Sequence, residues 1–191
     1  NYRDSNGIFH SGAAYLFDTT TGLQIAKLVA SDGAHNDNFG FSVSISGTTA
    51  IVGAPYHDSN GMSNSGAVYL FDTTTGLEIA KLIPSDGATS DWFGASVSIS
   101  GTTAIVGAPY HDNKGQVNSG AAYLYDAVTG AYIAKRTPLD GAQGDSFGQS
   151  VALNGSTAIV GAPAGGYYTG SSGSCYGLSL NPEIGTNYCG V

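Results

Sequence analysis

Twelve aspartates carry most of the chemistry open to this 191-residue chain, and they recur in four registers. The registers are Asp4, Asp58 and Asp112; Asp18, Asp72 and Asp126; Asp32, Asp86 and Asp140; and Asp37, Asp91 and Asp145. Threefold recurrence is what a repeated structure demands; a single active site does not need it. Asp32 and Asp37 stand in Ser-Asp-Gly-Ala-x-x-Asp, as do Asp86 and Asp91, while Asp140 and Asp145 follow a leucine in place of the serine. Two carboxylates five residues apart around a glycine could hold calcium together with backbone carbonyls. Capping of a turn explains the same pattern and is the preferred reading. Asp18, Asp72 and Asp126 open short loops of the x-x-Thr-Gly type, where aspartate bonds its own backbone. Asp58-Ser59-Asn60-Gly61 looks like half a calcium loop but lacks the distal bidentate acid.

The other reactive residues read as bland. His57 and His111 share a register with Arg3 and are expected to be solvated loop side chains, because metal ligands must converge on one point. Lys27, Lys81 and Lys135 recur on a predicted strand as edge charges that discourage stray pairing. Trp92 replaces Asn38 and Ser146, and an exposed indole there could stack on a sugar, although packing is the commoner role. No Gly-x-Ser-x-Gly elbow, His-Glu-x-x-His or Gly-Lys phosphate loop occurs. Gly173-Ser174-Cys175-Tyr176-Gly177 mimics an elbow with cysteine as nucleophile, but a second cysteine, Cys189, makes a disulfide the stronger account. The only acids outside the repeated registers are Glu78 and Glu183. The chain reads as non-enzymatic, with no cofactor.

The elements that must position these residues follow from a repeat. Phe39-Gly40, Phe93-Gly94 and Phe147-Gly148 lie 54 residues apart, as do the Gly-Ala-Pro triplets starting at Gly53, Gly107 and Gly161. Within one unit, Val97 and Ile99 alternate with serines, the period of a half-buried strand. Ser100-Gly101 turns the chain into Ala104-Ile105-Val106, a more fully buried second strand, which Pro109 ends. Ala121–Tyr125 forms the third strand, and after the Asp126 loop a fourth runs from about Ala131 to Arg136. Four antiparallel strands per unit is the size of one propeller blade, and the fold class is therefore all-β and propeller-like, about three blades' worth. A β-helix is the alternative, but its rungs are shorter.

Composition narrows the setting. A net charge of −8 repels nucleic acid and anionic membranes, and no apolar run approaches the ~20 residues a membrane helix needs. The chain begins at Asn1 without Met or a signal peptide, as expected of a processed or excised segment. Cys175 and Cys189 lie in a Gly/Ser-rich tail with no strand pattern of its own. A disulfide there would contribute ~2–4 kcal/mol and persist only in an oxidising compartment; two free thiols are the alternative. Asn154-Gly155-Ser156 is a glycosylation sequon on a turn.

The Phe-Gly pair opening strand one, the Gly-Ala-Pro closing strand two and the Ser-Gly-Ala-x-Tyr-Leu of strand three resemble the FG-GAP repeats of integrin-α-like propellers. They are closer still to the tandem FG-GAP repeats of secreted microbial and algal proteins. The resemblance covers about residues 1–163 and implies an extracellular or cell-surface propeller used for adhesion, ligand binding or surface architecture. Integrin-type repeats often carry an acidic calcium loop between strands one and two. Here that position holds only Ser46-Gly47, Ser100-Gly101 and Asn154-Gly155, so calcium does not carry over to it.

The repeat is out of phase with the chain. Asn1–Asp4 aligns with Pro55–Asp58, so residues 1–38 make a half blade of strands three and four. Residues 39–92 and 93–146 are whole repeats, residues 147–163 a half blade of strands one and two, and residues 164–191 the tail. Complementary half blades leave three outcomes: the segment belongs to a longer ring, two chains close a six-bladed ring, or copies add head to tail into a fibre; self-association is the expectation. The function expected is a structural or adhesive module whose partner is copies of itself. The alternative is an integrin-like propeller that binds protein or glycan, with or without calcium.

Overall fold

Strands account for all the regular structure of the described residues, and none of them is helical. The computed structural model describes residues 9–164 and, by backbone alone, residues 174–179. The strands fall into four successive antiparallel sheets. The first is β1 (Ala14–Phe17) with β2 (Gln24–Leu28). The second runs in order β3 (Ser42–Ser46), β4 (Thr49–Ala54), β5 (Ala67–Asp72) and β6 (Glu78–Leu82). The third repeats it as β7 (Ser96–Ser100), β8 (Thr103–Ala108), β9 (Ala121–Asp126) and β10 (Tyr132–Arg136). The fourth contains β11 (Ser150–Asn154), β12 (Thr157–Ala162) and β13 (Ser174–Ser179). This is the all-β, blade-like architecture expected from the repeat.

Local chemistry sets the strand lengths. Ser46 pairs with Thr49 across a two-residue turn in which Gly47 takes a φ of 56°, a left-handed value that favours glycine. The third and fourth strands are joined through Asp72, whose Oδ1 accepts from the Thr74 and Thr75 amides at 2.8 Å each. Asp18 and Asp126 do the same in their sheets, as expected of those three aspartates. The exposed carboxyls of Asp18, Asp72 and Asp126 are held below the usual range, chiefly by these amide hydrogen bonds.

Each sheet packs face to face on the next. Ile51, Val68, Leu70 and Leu82 of the second sheet meet Val97, Ile99, Val106 and Tyr123 of the third, and Ile105 and Leu124 meet Ala158 and Val160 of the fourth. Phe39, Phe93 and Phe147 are buried between sheets. The Phe-Gly and Gly-Ala-Pro motifs come together, since the Gly94 amide donates to the Gly107 carbonyl at 3.0 Å and Gly66 bridges to Phe93. Along the inner strands, serines tie neighbours: Ser44 Oγ accepts from the Ile99 amide at 3.2 Å and Ser98 Oγ from the Leu153 amide at 3.0 Å.

One expectation is corrected. The tail is not wholly irregular, because β13 pairs along the whole of β12. Its register, Val160 opposite Tyr176, repeats that of Val52 with Tyr69 and of Val106 with Tyr123. The sequence carries the signal in Ser172-Gly173-Ser174-Cys175-Tyr176, a degenerate copy of Ser-Gly-Ala-x-Tyr displaced by one residue from the period. Cys175 thus sits on a strand, while Cys189, Glu183, Arg3 and Asp4 lie outside the described residues.

Candidate functional site

The recurring polar residues converge, twice, on one arrangement. Before β3, the loop carrying Asp32 and Asp37 folds over the second sheet; after β4, a turn presents His57. Asp37 Oδ2 accepts from the Ala34 amide at 2.7 Å, capping its own turn, and lies 2.7 Å from His57 Nδ1. The far ring nitrogen, Nε2, is 2.8 Å from Lys81 Nζ on β6. An ammonium has only donors, so Nε2 accepts, the ring is neutral, and its proton sits on Nδ1 facing Asp37. Lys81 also reaches Asp32 Oδ2 at 2.6 Å, and Tyr69 of β5 donates to Asp32 Oδ1 at 2.7 Å.

The third sheet repeats every contact. His111 Nδ1 is 2.7 Å from Asp91, Lys135 Nζ lies 2.6 Å from His111 Nε2 and 2.8 Å from Asp86, and Tyr123 donates to Asp86 at 3.0 Å. Both histidines and both inner aspartates are buried. The expectation of solvated histidines is therefore corrected for His57 and His111, and that of edge-charge lysines for Lys81 and Lys135. Their registers are set by a tie between the intersheet loop, the strand-two turn and the outer strand, buried at its histidine and inner aspartate and open at its outer aspartate. The signal was the joint recurrence of Asp, Asp, His, Tyr and Lys at fixed spacing, since only a shared contact makes five separate residues repeat together.

Electrostatics follow from the geometry. Burial opposes ionisation of Asp32, but the Lys81 and Tyr69 hydrogen bonds and the Lys81 charge outweigh it and hold the carboxyl below the usual range. Asp86 is held down in the same way by Lys135 and Tyr123. The Tyr69 and Tyr123 hydroxyls are pushed far up, first by burial and then by the carboxylates they serve. A depressed carboxyl stabilises the fold above its unfolded pKa, near ~4, and the contribution is lost as pH falls through the lower folded value. Wild-type protein is thus expected to lose melting temperature below about pH 4. An Asp32→Asn, Asp86→Asn variant should show a shallower acid dependence by calorimetry at low salt; an identical slope would refute the assignment.

The third copy is incomplete. Asp145 is buried and accepts from the Ala142 amide at 2.7 Å, but the sequence places Gly165 where His57 and His111 stand. Asp140 begins this copy of the loop and is exposed. Among the described residues, no group of three or more His, Cys, Asp or Glu side chains is arranged to hold a metal ion. The calcium-candidate oxygens of Asp32 and Asp86 already face lysine ammonium groups. Glu78 binds the Ser31 amide and hydroxyl at 3.1 and 3.2 Å, a further tie between sheets. Asp58 and Asp112 accept from the Asn64 and Asn118 amides at 2.8 Å within their loops.

Two further expectations find a place. Trp92 is not a free indole: it stands edge-on between Tyr56 and Tyr110, with ring centroids 4.7 and 4.6 Å away. Asn154 ends β11 on an exposed turn, so the sequon is accessible.

The first sheet leaves a groove. It is lined by Ala14, Leu16 and Leu28 on one side and by Val43, Ile45 and Val52 on the other, with a volume of about 580 Å³. Val43 and Ile45 are 61% and 59% exposed, whereas Val97 and Ile99 in the same register are 8% and 6% exposed. Tyr15 is 51% exposed where Tyr69 and Tyr123 are at 0% and 1%. The difference is the neighbour: β7 packs on β3, but no described strand lies on β3 from the side of the first sheet.

The fold is shared with the crystal structure of the computationally designed Ika4 protein. The TM-score is 0.56 at 17% identity over 91% of this chain and 82% of that one. No curated protein matches the chain. The FG-GAP repeat family matches three times, at residues 23–71, 77–125 and 128–178, the last match reaching into β13. Repeats of this kind are typical of extracellular or surface proteins and of non-catalytic propeller modules. With Phe-Gly and Gly-Ala-Pro joined at each sheet junction and three matches spanning most of its length, the chain belongs to the FG-GAP repeat family.

Proposed function

We propose that the chain is a non-enzymatic, extracellular structural or adhesive module that self-associates through complementary half blades, building a fibre. The observation that carries this reading is the groove beside the first sheet, where Val43 and Ile45 stand exposed although Val97 and Ile99 are buried in the same register of the third sheet. An unpartnered sheet edge beside an apolar face templates pairing with another chain. The contact is head-to-tail, between different surfaces of the two copies, and such contacts grow open assemblies unless the rotation closes. The titratable residues support a non-catalytic role, because His57, His111 and the aspartates beside them are consumed in ties that pin each intersheet loop to the sheet it enters. The accessible sequon at Asn154 and the two cysteines suit an extracellular setting.

Sedimentation velocity is expected to show mass rising with protein concentration, and negative-stain microscopy to show filaments. One species of monomer mass at every concentration would overturn this reading.

A further inference from the structure

Among the described residues, the first sheet holds the counterparts of the two outer strands of a complete sheet, and the fourth sheet holds both inner strands with one further strand, β13. In each complete sheet, the third strand supplies a tyrosine and the fourth a lysine, and both close on the aspartate of the loop entering that sheet. The first sheet has the tyrosine and the lysine, Tyr15 and Lys27. Lys27 lies over the Tyr15 ring at 6.0 Å and makes no ion pair with a described acid. The fourth sheet has the loop, with Asp140 exposed and Asp145 buried, and strands β11 and β12. Among the described residues it has no fourth strand. A single strand, β13, stands in the third position, with Gly177 in the register of Leu70 and Leu124. Glycine in a strand weakens it, which favours replacement of β13 at this edge.

We propose that the β1–β2 hairpin of a second copy displaces β13 from the edge of β12 and closes Tyr15 and Lys27 on Asp140 of the first copy. The proposal rests on the self-association reading and names its interface. In the register of the complete sheets, Tyr15 of the incoming copy falls opposite Val160, and its Tyr15 and Phe17 face the third sheet. β3 of the incoming copy then packs on β11 as β7 packs on β3, covering Val43 and Ile45. Gly161 becomes a close-approach position. Its counterparts Gly53 and Gly107 leave no room for a Cβ against the carbonyls of Gly94 and Gly148 in the following sheet, whereas a Cβ on Gly161 meets only Ser150 within one chain. The new junction has one serine contact fewer than those inside the chain. Ala152 stands where Ser44 and Ser98 accept an amide, while Asn154 keeps an acceptor where Ser46 and Ser100 stand.

The test is association of the full chain by sedimentation velocity, with melting recorded for each variant. Lys27→Asp is expected to weaken association about tenfold or more, Asp140→Lys to do the same, and the two together to restore it. Gly161→Ala should abolish association with little change in melting, since within one chain the added methyl meets only the Ser150 side chain at close range. Tyr176→Pro with Gly177→Pro removes adjacent amides that point to opposite sides, so one pairing with β12 is lost and association tightens. If wild type associates but neither the charge exchange nor Gly161→Ala changes it, this interface is wrong and the self-association reading stands. If wild type remains a monomer throughout, both fall.

Discussion

Gly107→Ala is expected to destabilise the fold by about 3 kcal/mol or more, and Gly161→Ala by about 1 kcal/mol or less. Backbone conformation is not the reason, since neither glycine has a positive φ. A Cβ on Gly107 would overlap the Gly148 carbonyl oxygen and the Ser96 hydroxyl. Neither can retreat. Ser96 Oγ donates to that same carbonyl at 2.7 Å, and the Gly148 amide is fixed to the Gly161 carbonyl at 3.0 Å. Relief requires prising the third sheet from the fourth, which opens the apolar layer of Ile105, Leu124, Ala158 and Val160. On Gly161 the added methyl meets only the Ser150 hydroxyl at close range, a side chain that can turn away. Chemical denaturation of the two variants measures the difference. Equal losses would show that glycine serves β8 and β12 for reasons local to each strand, and not for contact between sheets.

That contrast marks how far the residues alone disclose the architecture. Alternation in Ser-Val-Ser-Ile-Ser, the continuous Thr-Ala-Ile-Val-Gly-Ala runs and the glycine and aspartate turns identify the strands of the two complete units within a residue or two. These features are local, decided by side-chain period and turn geometry. Burial is not local. Val43 and Val97 have the same neighbours in sequence, yet one is exposed and the other buried, because only the second has an inner strand before it. β13 escapes a reading by pattern for a related reason. Its Gly- and Ser-rich sequence has weak strand propensity, and the edge of β12 recruits it.

The candidate site was half legible. Asp37 and Asp91 do cap their turns, as the spacing to the Ala34 and Ala88 amides suggests. The partners His57 and His111 lie 20 residues further on, and no local rule joins them. They meet because the intersheet loop must cross the strand-two turn, a consequence of stacking the sheets. The equivalent histidines do not meet; the convergence is among different residues of the same unit. The aromatic row is similar. Trp92 breaks the repeat, and its surroundings are the two tyrosines that keep it, Tyr56 and Tyr110.

Asp91→Ala is expected to cost about 2–4 kcal/mol, against about 1 kcal/mol for Asp145→Ala. Both aspartates are buried and both cap an alanine amide, at 2.8 Å for Asp91 and 2.7 Å for Asp145. Only Asp91 holds a histidine. Its removal leaves His111 Nδ1–H buried without an acceptor, with Nε2 still facing Lys135 at 2.6 Å. The ring cannot answer by reversing its tautomer, because a proton on Nε2 would point at the ammonium. The stranded donor therefore carries its full desolvation penalty in addition to the lost cap. A second substitution isolates that term: adding His111→Ala to Asp91→Ala removes the stranded donor and should recover part of the loss, so the two changes are less than additive by about 1–2 kcal/mol. Urea denaturation of the four proteins in the cycle, with Asp145→Ala beside them, measures it. Strict additivity, or an Asp145→Ala as damaging as Asp91→Ala, would mean that the histidine tie contributes nothing and that the recurring Asp-His-Lys pattern stabilises only its own loops.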